Sequence, residues 1–145
     1  MSELEDFLTS TEQDQVVEAI KKAELNTSGE IRVHFENSLK SPCMDRAKEV
    51  FSYLNMQNTK NRNGVLFFVA VHDKSFTILG DSGIDKVVPN DFWENVKNMV
   101  VSDFSKGNRV EGLVNGILEA GQKLKQYFPF QLDDTNELTN EISKS

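Results

Sequence analysis

The chain has a single cysteine, Cys43, among its 145 residues, so it has no pair with which to form an internal disulfide bond. It lacks an apolar run long enough to cross a membrane, and its first residues are acidic, which argues against a signal peptide. Lysine and arginine do not cluster, and the net charge of −7 disfavours nucleic acid and anionic lipid as partners. These absences predict a cytoplasmic protein without nucleic-acid binding or membrane insertion.

Common catalytic motifs are absent as well. The sequence has no glycine-rich phosphate loop ending in Lys-Ser or Lys-Thr, no metalloprotease histidine pair and no nucleophile elbow. It has two histidines, His34 in an alternating segment and His72 in a short polar turn, and both positions are typical of structural residues. With Cys43 expected to be buried, we expect no nucleophile–base constellation.

The most informative part of the sequence is a pair of apolar segments near its middle. Residues 65–71 form a continuous run rich in β-branched and aromatic side chains, which is typical of a strand buried on both faces. A polar break at residues 72–74 follows, and residues 76–80 then alternate, which predicts a second and less deeply buried strand. Together the two segments predict a β-hairpin.

A βαβ unit is predicted ahead of this hairpin. Residues 30–36 alternate as a strand does, and a helix that starts at Ser41-Pro42 and ends near Met56 separates them from the hairpin. Strand, helix and strand in this order predict two parallel strands with a right-handed crossover.

Three further helices complete the predicted secondary structure. The first spans residues 11–23, with Ser10 and Gln13 at the spacing of a capping box. The second opens near residues 88–91, and the third follows Asn108 as N-cap and ends before Pro129.

The length indicates one domain, which we expect to be a monomer. We predict a flexible N-terminus at residues 1–9, the domain at residues 10–130 and an acidic tail at residues 131–145. The tail has isolated apolar residues, so we expect it to be loosely ordered or to dock through a short helical turn.

The predicted topology brings three polar loops to one edge of the sheet, where the first two strands start and the hairpin ends. Carboxylate and amide oxygens gather there, and Ca²⁺ or Mg²⁺ prefers such ligands. Asp81 and Asp85 flank Gly83, as in calcium-binding loops, although Phe92 stands where an EF-hand needs its bidentate glutamate. The alternative is that these residues cap backbone amides and end strands. The candidate ligands are Glu30, Asn63, Asp81 and Asp85.

Several short motifs, in their order along the chain, resemble the TPM domain, a family named after a thylakoid phosphatase, a photosystem II repair protein and a nematode receptor modulator. The resemblance covers roughly residues 11–128 and is strongest to the small, soluble bacterial branch. It implies an α/β/α sandwich with a Rossmann-like sheet, here of three to four strands, in agreement with the predicted parallel βαβ pair and antiparallel hairpin strand. It also implies a divalent-metal site in some members and acid phosphatase activity reported for a plant member. The matching segments are residues 27–33, 63–70, 80–84, 104–107 and 112–117.

The chain departs from the commoner family pattern at Asp81, which stands where an aromatic residue usually lies between two glycines, whereas Asp85 occupies a position that is commonly acidic. We therefore predict a weak divalent-cation site in a non-catalytic domain, an interaction or stress-adaptation module whose protein partner is unidentified. The rival hypothesis is a metal-dependent acid phosphatase that uses the same carboxylates. A third is a metal-free scaffold.

Overall fold

The computed structural model describes residues 6–130 and 137–145. In this part of the chain a mixed sheet has the strand order β3-β2-β1-β4. The helices are α1 (Ser10–Glu24), α2 (Cys43–Tyr53), the single turn α3 (Ser82–Asp85), α4 (Glu94–Ser105) and α5 (Arg109–Lys125). The strands are β1 (Glu30–Glu36), β2 (Gly64–Ala70), β3 (Ser75–Gly80) and β4 (Ser143–Lys144).

The βαβ unit and the hairpin are both confirmed. β1 and β2 are parallel, in a register that pairs Glu30 with Gly64. β2 and β3 are antiparallel, in a register that pairs Val65 with Gly80. All seven residues of β2 are buried, as its continuous apolar sequence predicted. The start of β1, the start of β2 and the end of β3 therefore lie at the same edge of the sheet, which we call the cation edge after the cation site predicted there.

The sheet separates two apolar layers, which confirms the α/β/α sandwich. Alternation along β1 sends Ile31, Val33 and Phe35 to the side covered by α1, α4 and α5. On the other side, Leu66 and Phe68 of β2 pack against α2. The strands thus bury apolar side chains on both faces of the sheet.

The N-terminal helix begins one residue earlier than predicted. Thr9, not Ser10, is the N-cap: its side chain accepts a hydrogen bond from the Glu12 backbone (3.1 Å), and Glu12 Oε1 accepts one from the Thr9 backbone (2.9 Å). Both pairs have the capping-box spacing, but Thr9–Glu12 also places a negative charge at the helix N-terminus, where it is favourable. Phe7 and Leu8 lie in the core ahead of this cap.

Helix α4 starts at Glu94 rather than near residues 88–91. The chain first makes a turn in which the Phe92 N–H donates to the Pro89 carbonyl (3.1 Å). Proline is pre-set for such a turn as well as for a helix start, so the sequence signal fitted both.

The described end of the tail is a strand and not a helical turn. β4 runs parallel to β1, with His34 opposite Ser143 and Phe35 opposite Lys144. Leu138, which is 8 % exposed, anchors this segment in the layer beside α2. Docking on the β1 edge pairs these backbone groups with β1, whereas those of a loose tail would bond to water. Residues 131–136 of the predicted tail, and residues 1–5 of the predicted N-terminus, lie outside the described residues.

Candidate functional site

The cation edge is built around a bidentate ion pair between Arg62 and Asp81. Arg62 Nε and Nη2 each donate to one carboxylate oxygen of Asp81 at 2.8 Å. Asp81 also caps α3, because its Oδ1 accepts the Ser82 backbone N–H at 2.7 Å. The Asp81 side chain is 5 % exposed, whereas the Arg62 side chain is 50 % exposed. A buried carboxylate is thus neutralised by a cation that reaches it from solvent.

The loops before β2 and after β3 touch at Gly83. Its N–H donates to the Arg62 carbonyl at 2.9 Å. A Cβ atom at this position would lie 2.1 Å from the Asn61 carbonyl oxygen and 2.6 Å from that of Arg62. Only glycine allows this approach, so Gly83 fixes the two loops against each other.

Asp85 lies one helical turn beyond Asp81. Its backbone N–H donates to the Asp81 carbonyl at 3.1 Å, and its side chain is exposed. Partial burial raises the pKa of Asp85, and the negative charge of Asp81 raises it further. The two side chains are four residues apart on one helical turn, a spacing at which like charges repel.

Glu30 and Asn63 form a second group at the same edge. Both are buried, at 4 % and 2 % exposure. The Asn63 carbonyl accepts the Glu30 backbone N–H at 3.2 Å, and the Asn63 side chain donates to Ser28 Oγ at 3.3 Å. Glu30 Oε1 accepts the Leu138 N–H at 2.6 Å, which links the start of β1 to the C-terminal segment.

Three carboxyl groups, those of Glu30, Glu24 and Glu137, gather at the start of β1. Burial raises the pKa of Glu30 to about 7, and the charge of the neighbouring Glu137 adds to the increase. Burial raises the pKa of Glu24 to about 8, with a further contribution from Glu30. The Glu24 carboxylate accepts the Ile31 N–H at 3.0 Å. Glu24 and Glu137 were not among the predicted residues; their carboxylates reach β1 from the end of α1 and from the tail.

The structure brings the four predicted residues to one edge but into two groups. Glu30 pairs with Gly64 on one side of β2, and the Asp81 N–H donates to the Gly64 carbonyl (3.0 Å) from the other. Two strand spacings place their backbones roughly 10 Å apart. Their carboxylate and amide oxygens have the chemistry of ligands for Ca²⁺ or Mg²⁺. Within residues 6–130 and 137–145, no cluster of three or more His, Cys, Asp or Glu side chains is arranged to hold a metal ion. The ligand set stays a prediction.

The opposite edge of the sheet, where β1 ends, carries a polar cluster that was not predicted from the sequence. His34 is 2 % exposed and stacks on Phe68. Its Nδ1 lies 2.9 Å from Ser143 Oγ, and its Nε2 lies 2.9 Å from both Glu36 Oε1 and Ser145 Oγ. The sequence predicted no nucleophile–base constellation, whereas His34 lies between a serine hydroxyl and a carboxylate.

Charges in this cluster are fixed by its hydrogen bonds. Arg46 Nε donates to Glu36 Oε2 at 2.9 Å, and Ser145 Oγ donates to Glu36 Oε1 at 2.6 Å. Burial opposes ionisation of Glu36, but the hydrogen bonds from Ser145, His34 and Arg46 prevail and lower its pKa. Burial lowers the pKa of His34, although Glu36 opposes this effect. Glu36 is therefore ionised and His34 neutral at pH 7.

One signal in the sequence pointed to part of this cluster. Alternation along β1 places His34 and Glu36 on the same face, two residues apart. Ser143 lies in β4 and Ser145 directly follows it, and the two residues of β4 are too few for any periodic pattern. His72, in contrast, lies where it was predicted, in the turn between β2 and β3.

None of the helices in the described part of the chain is long and apolar enough to cross a membrane.

The fold and its polar edges define an α/β/α domain in which two parallel strands and a hairpin present loops at one side. A family model for the TPM domain matches residues 1–123. The chain belongs to the TPM domain family.

Two solved structures are similar to this chain. The NMR structure of the BA42 protein from the psychrophilic bacterium Bizionia argentinensis is 51% identical, with a TM-score of 0.92 and 98% of each chain covered. The solution NMR structure of the N-terminal domain of a protein from P. gingivalis is 20% identical, with a TM-score of 0.68, covering 84% of this chain and 79% of that one. At that identity the second likeness shows the fold alone. No match was found among curated proteins.

Proposed function

We propose that the domain acts as a monomeric interaction module that binds a divalent cation, Ca²⁺ or Mg²⁺, weakly at the cation edge, and that this edge is non-catalytic. One observation carries the proposal. Asp81 and Asp85 are carboxylates one helical turn apart whose charges repel, and Asp81 is balanced by the half-exposed Arg62. A divalent ion would neutralise both carboxylates, whereas the Arg62 guanidinium neutralises only that of Asp81.

Arg62 competes with the cation for Asp81. The guanidinium occupies both carboxylate oxygens, so an incoming ion has to displace it into solvent. Half of the Arg62 side chain is already exposed, which makes this exchange feasible. The competition predicts weak binding, with Kd roughly 10⁻⁴–10⁻³ M, as in extracellular calcium modules.

Glu30 and Asn63 would add oxygen ligands from the other side of β2. Since burial raises the pKa of Glu30 to about 7, this carboxyl is partly protonated at neutral pH. A cation that uses Glu30 has to displace its proton, so affinity should rise between pH 6 and pH 8. An ion bound there would link the start of β1 to the loops at Asn63 and Asp81. It would thereby order these loops as a surface for a protein partner.

The first experiment is an amide NMR titration of metal-stripped protein with Ca²⁺ and then Mg²⁺. We expect saturable shifts confined to residues 28–30, 61–64 and 80–85. Asp81→Asn should abolish them, whereas Arg62→Gln should tighten binding several-fold because the competing cation is gone. Asp14→Asn, on the exposed face of α1, is the matched control and should bind like the unmodified chain. Shifts scattered over the acidic surface and unchanged by Asp81→Asn would refute the site.

The phosphatase hypothesis differs in requiring turnover. A metal ion there would polarise a phosphoryl oxygen and orient water. The module predicts no Mg²⁺-dependent hydrolysis of p-nitrophenyl phosphate above the level of Asp81→Asn. Hydrolysis that requires both Mg²⁺ and Asp81 would refute the proposal of a non-catalytic cation edge and support the phosphatase hypothesis.

A further inference from the structure

We propose that Ser143 is a nucleophile activated by His34 and Glu36, and that the cleft beside it hydrolyses small carboxylic esters. This site lies at the opposite end of the strands from the cation edge and does not depend on it. The geometry that points to it is a hydroxyl, an imidazole and a carboxylate in series, with both contacts at 2.9 Å.

The proton positions follow from the surrounding partners. Glu36 accepts from Arg46 at 2.9 Å and from Ser145 at 2.6 Å, so it is ionised and acts only as an acceptor. His34 Nε2 faces Glu36 and therefore carries the imidazole proton. Ser145 Oγ, which gives its own proton to Glu36, meets that same N–H as an acceptor. Nδ1 is left as the basic nitrogen, and Ser143 is the hydroxyl that donates to it.

These roles match those in serine hydrolases, with the two ring nitrogens exchanged. His34 is the general base, and Glu36 fixes its tautomer and stabilises the imidazolium formed during reaction. Arg46 is a positioning residue, because it acts on Glu36 and not on the hydroxyl. His34 and Glu36 are 2 % and 8 % exposed, whereas Ser143 is partly exposed and can meet a substrate.

A cleft of about 450 Å³ lies next to Ser143, within the size range of small-molecule sites. Val50 and Tyr53 of α2 line it and offer apolar surface to a short acyl chain. Glu49, also in the lining, disfavours acyl groups that carry their own negative charge. The substrate class is therefore a small, uncharged ester.

The reaction balances without a further reagent. Ser143 Oγ bonds to the ester carbonyl carbon while its proton passes to His34 Nδ1. The tetrahedral oxyanion collapses, the bond from carbon to the alcohol oxygen breaks, and the alcohol leaves with the proton from Nδ1. Water then attacks the acyl carbon, giving a proton to Nδ1, and Ser143 departs and recovers that proton. The products are a carboxylic acid and an alcohol.

The test combines p-nitrophenyl acetate hydrolysis with labelling of the full chain by a small fluorophosphonate, located by peptide mass spectrometry. We expect a burst of one p-nitrophenolate per chain, and one label, on Ser143. Ser143→Ala should lose both, and His34→Gln should slow labelling by at least about 100-fold. Ser102→Ala is the matched control: it removes an exposed serine of α4, away from His34 and Glu36, so labelling of Ser143 should persist.

Two readouts separate activation from a structural role. The labelling rate should rise with pH to a plateau, with a midpoint below 6.5 because burial, Arg46 and Arg32 disfavour imidazolium, whereas Glu36 favours it. Loss of labelling in Ser143→Ala could also follow from a loosened β4, so Ser143→Cys provides a second variant that keeps a nucleophile at this position. Its new thiol should react with iodoacetamide faster than Cys43 does. No label on Ser143, or labelling unaffected by His34→Gln, would overturn the proposal.

Discussion

Gly83 makes the tightest backbone approach at the cation edge. We predict that Gly83→Ala lowers the free energy of unfolding by about 2–3 kcal/mol, because the new Cβ would lie 2.1 Å from the Asn61 carbonyl oxygen and force the two loops apart. Gly107 provides the comparison: its φ is +82° but nothing lies within 4 Å of an added Cβ. Gly107→Ala should therefore cost only the left-handed strain, about 1 kcal/mol. Urea denaturation measures both, and equal losses would contradict the packing argument.

At the cation edge, the positions of the residues could be predicted from the sequence, but their side-chain partners could not. Topology placed Glu30 and Asp81 at the same edge, since a parallel pair and a hairpin leave few other arrangements. It did not predict that Arg62 would pair with Asp81, because that contact depends on a loop in which Arg62 itself has a φ of +50°. Side-chain partners set by loop conformation have no periodic signature in sequence.

The C-terminal segment is held at the scale of an element by Leu138. We predict that Leu138→Ala lowers the free energy of unfolding by about 2–3 kcal/mol, because a buried side chain is lost and its cavity is only partly refilled. Leu25→Ala, at a side chain 69% exposed, should change stability by less than about 0.5 kcal/mol. Hydrogen exchange of the Ser145 amide, which donates to Phe35, should quicken in Leu138→Ala alone. Unchanged stability and exchange would mean that Leu138 does not anchor the segment.

Elements differ in how far their own sequence determines them. β1 was predicted at residues 30–36, as observed, because seven alternating residues specify a strand and its buried face. β4 has two residues, and its strand conformation comes from docking on β1 rather than from local preference. Ser143 and Ser145 reach His34 only through that docking, so the polar cluster could not be predicted without it.

For the whole molecule, the raised pKa values of Glu24 and Glu30 set a pH dependence of stability. In the unfolded chain these carboxyls ionise near pH 4.5, whereas in the folded chain they keep their protons to about pH 8 and pH 7. Between about pH 4.5 and pH 8 the folded chain thus binds more protons than the unfolded chain. The contribution of Glu24 and Glu30 to the free energy of unfolding therefore falls as pH rises through this range.

We predict that Glu24→Gln is more stable than the unmodified chain at pH 8.5 by roughly 2–4 kcal/mol. Glutamine can still accept the Ile31 N–H but does not ionise. The difference should shrink as pH falls and disappear below about pH 4.5. Glu18→Gln, at a 68% exposed side chain on the same helix, should show no such difference. Denaturant unfolding at a series of pH values provides the test, and a pH-independent gain for Glu24→Gln would contradict the linkage.

The Glu24 carboxylate also has a consequence for self-association. β4 lies opposite only His34 and Phe35 of β1, and nearer the start of that strand the Ile31 N–H is taken by a side chain of α1. An open strand edge is a template for another chain, and natural proteins block such edges with charges or short covering segments. Here the Glu24 carboxyl group, which keeps its proton at neutral pH, and two residues of strand cover the edge, so the barrier to fibril growth depends on how firmly the end of α1 and the C-terminal segment stay docked.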